Sequence, residues 1–381
     1  MMGARMRVTH VYKDYYPVIG GIENHVRSLA EEQVRRGHEV TVLAASQSRR
    51  GTTRMVNGVR VVLAPRLATF CSTPLCPTLA GHLRRQPSDL FHLHFPHPPG
   101  ELARLALGGR TPTVITYHSD IVRQRRLLQL YEPLLRRVLG QADRILVTSA
   151  PYLRSSPYLP ALRHKCDVVP LGIDVERFAG NGPDGLRLRA RQRYGLAPDA
   201  FVIVFVGRLR YYKGLDHLLR ALVLVPEARL LLVGDGPLRR SLVRLAGELG
   251  VSKRVIFTGE VADEELPSCY RAGDLFALAS TLRAEAFGTS LVEAMASGLP
   301  VISTEVASGT SWVNQAGTTG LVVPPADAPR LADAIRVLLD DRELRARMGR
   351  AAADRARALF DLATMADRVE DVYRAAGLSA V

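Results

Sequence analysis

Short hydrophobic runs alternate with amphipathic windows along the whole chain. The run Phe201–Val206 is apolar at every position, which is typical of a strand buried on both faces of a parallel sheet. The window from Ile22 to about Arg36 repeats its apolar residues at helical spacing, and Gly37 stands at the expected stop position. This alternation predicts strands connected by helices.

The hydrophobic runs form two series of candidate strands. The first series comprises Arg7–Val11, Val40–Leu43, Gly58–Leu63, Leu90–His94, Thr113–Thr116, Ile145–Thr148 and Val168–Pro170. The second comprises Phe201–Val206, Arg229–Val233, Val255–Phe257, Leu275–Leu278, Val301–Ser303 and Leu321–Val323. Strands that alternate with helices predict parallel sheets with crossover connections. We therefore predict an α/β fold of two Rossmann-like halves, joined by a linker over residues 179–199.

Length and composition fit a globular protein of two domains. The chain has 381 residues, more than one compact core usually holds, and 47% of them are apolar while 23% are charged. No apolar run approaches the ~20 residues that span a bilayer, and the segment Met1–Tyr16 lacks the apolar core of a signal peptide. The four cysteines are too few for a disulfide framework. These features predict a cytoplasmic protein.

The net charge of +14 is concentrated in the first half of the chain. Residues 1–180 contain 25 basic and 13 acidic residues, whereas residues 181–381 contain 26 basic and 24 acidic residues. Such an excess favours a polyanionic partner, and the alternative is an Arg-rich surface that serves only solvation. Because aromatic residues make up only 6% of the chain, we see no stacking platform and expect no nucleic acid partner.

Two glycine motifs differ in their context. Gly20 and Gly21 follow the first strand and precede the first helix, where bare backbone amides can meet an anion; the alternative is a simple turn. The G-x-G-x-x-G match at residues 180–185 lies in the linker and contains a proline. It does not open a helix after a strand, so it does not predict a dinucleotide site.

Arg208 and Lys213 lie in the loop after the strand Phe201–Val206. Open α/β sheets bind ligands at the carboxyl ends of their strands. Two cations on such a loop can neutralise a diphosphate, and the chain contains no Asp-x-Asp pair that would clamp a divalent metal. We therefore predict a phosphate site without a metal. The alternative is a pair of solvated surface charges.

The segment Glu285–Glu293 leads from a strand candidate into a helix. Ser290 and Glu293 have the spacing of a capping box, which would give Glu293 a structural role. Glu285 stands ahead of the helix with no capping role, so we expect it to serve function and not stability. A helix N-terminus beside Gly288 is a second predicted anion site.

Four histidines, His92, His94, His97 and His118, lie near two strand ends. Two histidines at i and i+2 share one face of a strand, so a metal site is one interpretation. No cysteine or carboxylate completes a ligand set, which favours strand-end residues without a metal. His118 differs from the others because it follows the strand Thr113–Thr116 at the ligand-binding edge.

These ordered motifs resemble those of the retaining GT-B glycosyltransferases of family 4. They are Gly20–Glu23 with Arg36–Val40, Tyr117-His118, Val169–Asp174, Gly207-Arg208 with Lys213-Gly214, Val233–Gly236 and the pair Glu285 and Glu293. The resemblance implies two Rossmann-like domains that face each other across a cleft. Residues 1–180 would bind the acceptor and be completed by a C-terminal helix at about residues 363–381, and residues 181–362 would bind the nucleotide sugar.

The resemblance also implies a role for each motif residue. Arg208 and Lys213 would hold the donor diphosphate and stabilise the leaving group. Glu285 would bind the transferred sugar, Glu293 the ribose, and His118 would face sugar and acceptor. The residues expected to contact the donor are Gly20, Gly21, Phe287, Gly288, Thr289 and Ser290. Two positions depart from the family pattern: Ala286 stands where glycine is common, and the carboxylate after His118 is one residue farther away, at Asp120.

The segments 10–17, 118–120 and 309–314 are similar to mannosyl or rhamnosyl transferases of bacterial surface-polysaccharide assembly. They favour GDP-mannose as the donor, and a UDP-sugar is the alternative. They also imply a glycan or lipid-linked acceptor and no cofactor. Two other classes stay open. A nucleotide-sugar epimerase of the GT-B fold does not account for Glu285 and Glu293, and a non-catalytic basic binding protein does not account for Arg208 and Lys213.

The segment Ile121–Leu139 interleaves basic and apolar residues at near-helical spacing. It predicts that the basic first domain docks on an anionic membrane, peripherally on the inner face of the cell membrane. The alternative is a helix that packs on its own domain with its arginines outward.

Overall fold

The computed structural model describes residues 5–18, 20–70, 73–121, 125–179 and 184–377. The chain divides into two compact units. The first unit comprises Met1–Gly172 and Leu362–Val381, and the second comprises Ile173–Asp361. The glycine match at residues 180–185 lies largely outside the described residues.

The first unit alternates strands and helices in the predicted way. Its elements are β1 (Arg7–Val11), α1 (Gly21–Arg35), β2 (Glu39–Ala45), β3 (Thr52–Val56), β4 (Val59–Ala64), β5 (Ala68–Phe70), β6 (Thr73–Leu75), α2 (Leu79–Arg84), β7 (Leu90–Phe95), α3 (Pro98–Leu107), β8 (Thr113–Tyr117), α4 (Arg125–Gln141), β9 (Arg144–Val147), α5 (Ala150–Ser155) and β10 (Cys166–Val168).

The first sheet has the strand order β10-β9-β8-β7-β1-β2-β4-β3. Its strands pair in parallel except β3, which is antiparallel to β4 at the edge. Since four of the five residues of β3 are exposed, this strand has no hydrophobic run by which the sequence could predict it. Asn57 and Gly58 close the hairpin with φ of 49° and 80°, a turn that an Asn-Gly pair favours.

The second unit repeats the architecture. Its elements are α6 (Val175–Phe178), α7 (Asp184–Arg193), β11 (Phe201–Val206), α8 (Leu215–Leu224), β12 (Ala228–Val233), α9 (Arg239–Glu248), β13 (Val255–Gly259), α10 (Leu266–Arg271), β14 (Leu275–Leu278), α11 (Thr289–Ala296), β15 (Val301–Thr304), α12 (Thr310–Val313), β16 (Gly320–Val323), α13 (Ala328–Asp340) and α14 (Arg342–Leu359).

The second sheet has the order β13-β12-β11-β14-β15-β16, and all of its pairs are parallel. Its central strands β11 and β14 are buried along their whole length, which matches their continuous hydrophobic runs. The strand order reverses at β11, because the chain runs outward on one side through β12 and β13 and then returns to place β14 on the other. This is the kind of switch point at which open α/β sheets bind ligands.

The predicted linker over 179–199 is wrong for most of its length. The helix α7 is anchored inside the second unit, because the guanidinium groups of Arg187 and Arg191 both bind the carboxylate of Asp274, at 2.6 and 2.7 Å. The preceding segment also packs in this unit, where the buried Phe178 ring contacts Tyr270 at 5.8 Å. The division therefore falls at Gly172 and not at residue 180.

The last helix, α15 (Leu362–Ala375), packs on the first sheet. Met365, Val369 and Tyr373 are buried in one cluster with residues of β1, β7 and α1. At the rim, Arg36 donates to Asp367 at 2.6 Å and to the Ala363 carbonyl at 2.9 Å. None of the described helices combines the length and the apolar content that a membrane span requires.

Candidate functional site

Two loops meet at the carboxyl edge of the second sheet, where β11 and β14 end. The backbone amide of Thr281, after β14, donates to the carbonyl of Tyr212, after β11, at 2.8 Å. Gly214 makes this approach close, because a Cβ there would lie 1.9 Å from the carbonyl oxygen of Ala279. Its φ of 62° also favours glycine. The close approach of the Ala279 carbonyl and the positive φ thus both explain why glycine follows Lys213.

Lys213 and Glu285 form a buried ion pair at this edge. The Lys213 Nζ lies 2.5 Å from the Glu285 carboxylate, which also accepts a hydrogen bond from the Ser280 hydroxyl at 3.2 Å. Burial lowers the pKa of Lys213. The charge of Glu285, its hydrogen bond and the charges of Tyr212 and Glu293 together outweigh this effect, so the net pKa of Lys213 is raised. Lys213 therefore carries a positive charge inside the protein, which water cannot screen.

Glu293 accepts a hydrogen bond from the Tyr270 hydroxyl at 2.5 Å. Burial raises the pKa of Glu293 to about 7, although the Tyr270 hydrogen bond and the charge of Lys213 act in the opposite direction. The predicted capping box is wrong, because α11 begins at Thr289 and Ser290 already lies inside the helix. Neither Tyr270 nor Ser280 was singled out from the sequence.

The N-terminus of α11 lies in the same region. Gly288 precedes the helix with a φ of 83°, and a Cβ there would lie 2.9 Å from a methyl group of Leu291. The backbone amides of Thr289 and Ser290 belong to the first turn, so they have no acceptor within the helix and present its positive end. Phe287 packs its buried ring against Phe360 at 5.7 Å, so only its backbone can contact a ligand.

Arg208 is the second residue after β11 and is exposed to solvent. Among the described residues its guanidinium has no hydrogen-bonding or ionic partner, whereas Lys213 on the same loop is buried and paired. A phosphate group near this loop would therefore meet one free cation and one fixed cation. Such an arrangement can bind an anion and stabilise charge that develops on it.

In the first unit, Gly20 immediately precedes α1. A Cβ at Gly20 would lie 2.1 Å from a carboxylate oxygen of Glu23, whereas a Cβ at Gly21 would point into open space. A side chain at Gly20 would therefore displace the Glu23 carboxylate, whereas Gly21 leaves room beside the helix terminus. Ile19 lies outside the described residues.

His118 is 4% exposed and follows β8 at the carboxyl edge of the first sheet. Its Nε2 lies 3.1 Å from Nδ1 of His94, whose Nε2 lies 3.0 Å from Nδ1 of His10. The predicted group of four histidines is split, since His97 instead donates its backbone amide to Glu101 at 2.7 Å. His10 also belongs to the group, but its place inside the strand run Arg7–Val11 gives no local signal of this contact.

Asp120, the carboxylate nearest to His118 in sequence, accepts hydrogen bonds from the hydroxyls of Tyr117 and Ser156 at 2.7 and 3.0 Å. Its backbone amide donates to the Tyr152 hydroxyl at 2.6 Å. These contacts hold the loop after β8 against the next strand connection. They give Asp120 a structural role.

Two family models match the chain. The model described as Glycosyl transferases group 1 matches residues 187–355, and the model described as Glycosyltransferase Family 4 matches residues 19–177. Each model falls almost entirely within one of the two structural units. Together they cover both edges at which the candidate residues lie.

Relatives of known activity match over nearly the whole chain. The O-antigen chain mannosyltransferase C of Escherichia coli is 35% identical over 373 residues, which cover 97% of this chain and 97% of that protein. The D-rhamnosyltransferase WbpZ of Pseudomonas aeruginosa is 37% identical over 358 residues, which cover 93% and 92%. The structure of sucrose-phosphate synthase from Thermosynechococcus elongatus is similar with a TM-score of 0.81 at 23% identity, covering 97% of this chain and 98% of that one.

Proposed function

The chain belongs to the GT-B glycosyltransferases of family 4, and on that premise we propose that it transfers a mannosyl residue from GDP-mannose to a glycan or lipid-linked acceptor. Glycosyltransferases of this family use nucleotide sugars. The named activities of two relatives, mannosyl and rhamnosyl transfer, support mannose or a related hexose. A UDP-sugar is the alternative donor.

The observation that carries the proposal is the placement of Lys213 and Arg208 at the switch point of the second sheet. We assign both cations to the donor diphosphate. Lys213 is held in place by Glu285 at 2.5 Å, so it needs no reorganisation when negative charge develops on the leaving group. The amides of Thr289 and Ser290 at the start of α11 would supply further donors to the phosphate oxygens.

The two glutamates are assigned to different hydroxyl groups of the donor. Glu285 would contact the transferred sugar, whose anomeric carbon gains positive charge as the diphosphate departs. Glu293 would accept from the ribose hydroxyls. In the first unit, Gly20 and Gly21 are assigned to phosphate, and His118 to the sugar and the acceptor. Phe287 and Gly288 would contribute through their backbones.

We propose transfer with retention of the anomeric configuration. The bond from the anomeric carbon to the diphosphate oxygen breaks, and the acceptor hydroxyl forms its bond on the same face. Its proton goes to the departing diphosphate, which acts as the base. This route requires no second carboxylate as nucleophile, in contrast to retaining glycosidases. We also propose that it requires no Mg²⁺ or Mn²⁺, because Arg208, Lys213 and the N-terminus of α11 would together stabilise the negative charge of the diphosphate.

The experiment that tests the function is a panel of GDP, UDP, ADP and dTDP, scored by thermal shift. A nucleotide at 100 times its dissociation constant stabilises the protein by about 2.7 kcal/mol. We expect GDP to give the largest shift. The Arg208→Gln variant, whose exposed position leaves the fold intact, should show a smaller one. No shift with any nucleotide would contradict the proposal.

The cognate sugar nucleotide is then supplied with an oligosaccharide acceptor, and the anomeric configuration of the product is read by NMR. An inverted product would overturn the retaining mechanism. Turnover that disappears in EDTA and returns with Mn²⁺ would overturn metal independence.

A further inference from the structure

Five buried histidines lie together in the first unit, within β1 and β7, after β8 and on α1. We call them the histidine cluster: His10, His25, His92, His94 and His118. Adjacent parallel strands and the following helix bring them together, since β1, β7 and β8 are neighbours and α1 follows β1. The i, i+2 spacing of His92 and His94 places both on one face of β7.

Hydrogen bonds fix the protons on most of the cluster. The amide nitrogen of Gln33 donates to the Tyr373 hydroxyl at 3.1 Å, so its oxygen accepts from His10 Nε2 at 2.7 Å. A neutral His10 then has a lone pair on Nδ1, which accepts from His94 Nε2 at 3.0 Å. By the same logic, the lone pair of His94 is on Nδ1 and points to His118 at 3.1 Å.

His92 needs no further partner, because its two ring nitrogens lie 2.6 Å from the Tyr373 hydroxyl and 2.7 Å from the Thr116 hydroxyl. His25 is different. It is 7% exposed, and neither of its ring nitrogens has a hydrogen-bond partner among the described residues. Its ring lies edge-on to His118 and His94, with centroid distances of 5.1 and 5.7 Å. An unpaired buried imidazole is costly unless a ligand completes it.

We propose that His25, His94 and His118 bind one transition-metal ion, with Zn²⁺ as the representative ion. One nitrogen of each ring lies within 4.8 Å of the other two. Two nitrogens bound tetrahedrally to one zinc at 2.0–2.1 Å are about 3.3 Å apart, close to the 3.1 Å between His94 Nδ1 and His118 Nε2. A small inward shift of His25 completes a three-histidine site.

The remaining residues of the cluster form the outer support that such sites require. His94 would coordinate through Nδ1 and donate its Nε2 proton to His10, which is held in turn by Gln33. On binding, the proton on His118 Nε2 moves to Nδ1 of the same ring, so the metal replaces one hydrogen bond. The Nδ1–H is then the group of His118 that is left for the sugar and acceptor to which we assign this residue. The buried rings of His10, His94 and His118 donate to and accept from one another as neutral imidazoles do, which is the state that coordination requires.

The ligand type selects the metal. Three imidazoles suit zinc, copper or nickel, whereas magnesium and manganese prefer oxygen ligands. The ion is therefore different in kind from the divalent metals that some transferases use to hold a diphosphate. Its binding is measured directly, so the outcome does not depend on whether the proposed transfer reaction is correct.

The experiment is a Zn²⁺ titration of the metal-free, untagged protein, in competition with a chromophoric chelator. We expect one zinc per chain. His25→Phe keeps a planar aromatic ring and breaks no described hydrogen bond, so it should fold. It should lose zinc affinity more than about 100-fold, since removal of an outer-sphere partner alone costs 10- to 100-fold. Gln33→Met should show that smaller loss.

The matched control is His164→Ala, which removes an exposed histidine and should leave the zinc affinity unchanged. Melting temperatures of the metal-free variants establish that each is folded, and His25→Ala serves as a second variant if the phenylalanine does not fit. Parent protein that binds no zinc at this stoichiometry would overturn the proposal. So would a folded His25 variant with the affinity of the parent.

Discussion

The Nζ of Lys213 lies 2.5 Å from the carboxylate of Glu285, and both side chains are about nine-tenths buried. The two residues come from different loops and are joined only by the fold of the second unit. Glu285 is thus the main electrostatic partner of Lys213 when no donor is bound. This pairing gives Glu285 the structural role that its position ahead of the helix did not suggest.

Breaking this ion pair from one side should destabilise the second unit. Lys213→Met and Glu285→Gln each leave a buried group without its partner, which costs about 3–5 kcal/mol. The double variant leaves no unpaired charge, so its loss should be well below the sum of the two single losses. Urea unfolding of the parent and the three variants measures the coupling, and strictly additive losses would show that the pair has no energetic coupling. All three variants should also lose turnover.

Arg208 should affect turnover without affecting stability. Its side chain is exposed and unpaired among the described residues, so Arg208→Gln should leave the melting temperature unchanged. Turnover should fall about 10²- to 10³-fold, as expected when one electrostatic stabiliser of a leaving group is removed. The matched control is Arg220→Gln, an exposed arginine on α8 of the same unit. Equal turnover of the two variants would remove Arg208 from the mechanism.

Glu293→Gln should weaken donor binding and leave the fold intact. The glutamine oxygen can still accept from the Tyr270 hydroxyl, which lies 2.5 Å from the carboxylate. At pH 8 Glu293 is ionised, because its pKa is about 7, and a hydrogen bond to a charged group contributes about 1.5–3 kcal/mol. At this pH the KM for the donor should therefore rise roughly tenfold or more while kcat changes little. Steady-state kinetics against donor concentration measure KM and kcat. Tyr270→Phe is the control for the hydrogen bond between Tyr270 and Glu293. A loss in kcat at constant KM would contradict the ribose assignment.

The sequence predicted the elements whose signal is local. Phe201–Val206 was predicted as a strand and is β11 at the same boundaries, because a continuous apolar run permits little else. The strand predicted at Val168–Pro170 instead ends at Val168, and β3 was missed because its side chains face solvent. The motif residues after β11 and β14 were found because parallel strands end at one edge.

Contacts that depend on tertiary approach could not be predicted in the same way. The pair Lys213 and Glu285 is separated by 72 positions in the chain and forms only because Gly214 lets two loops touch. His25 joins the histidine cluster from a helix, with no strand periodicity to reveal it. A helix cap at Glu293 was a reasonable local interpretation, but the tyrosine 23 residues earlier competes for the same carboxylate.

Membrane docking should depend on the exposed side of α4. The apolar face of α4 packs on its own domain, since Leu135, Val138 and Leu139 are buried. On the opposite side of the helix, Leu130 is 82% exposed and Arg137 also faces solvent. Arg137→Gln should weaken binding to anionic vesicles about fivefold, since one arginine near such a surface is worth about 1 kcal/mol. Adding Leu130→Ser to this variant should weaken vesicle binding further, because it removes an exposed apolar side chain.

Flotation with anionic and neutral vesicles measures this binding, with Arg220→Gln as the control on the other unit. The melting temperatures of both α4 variants should match the parent. Parent protein that floats equally with neutral and anionic vesicles would exclude electrostatic docking.

The pH dependence of stability should reveal the ionisation of Glu101, a buried residue in the first turn of α3. One of its oxygens accepts from the backbone amide of His97 at 2.7 Å, and the other has no hydrogen-bond partner among the described residues. Burial raises the pKa of Glu101 from 4.5 to about 8, although the His97 hydrogen bond opposes the shift. Between these values the unfolded chain has released the proton while the folded protein keeps it. The free energy of unfolding therefore falls as pH rises through this window.

Glu101→Gln keeps an acceptor for the His97 amide and does not titrate, so its stability relative to the parent should increase from pH 5 to pH 8. Each unit of pKa shift corresponds to about 1.4 kcal/mol, so the total change should reach several kcal/mol. Buried histidines act with the opposite sign, since burial lowers the pKa of His97 to about 3, but parent and variant share this contribution and it cancels in the difference. Urea unfolding at four pH values measures this stability difference between parent and variant. The matched control is Glu248→Gln, which removes an exposed carboxylate. A difference that stays constant between pH 5 and pH 8 would show that Glu101 ionises normally in the folded protein.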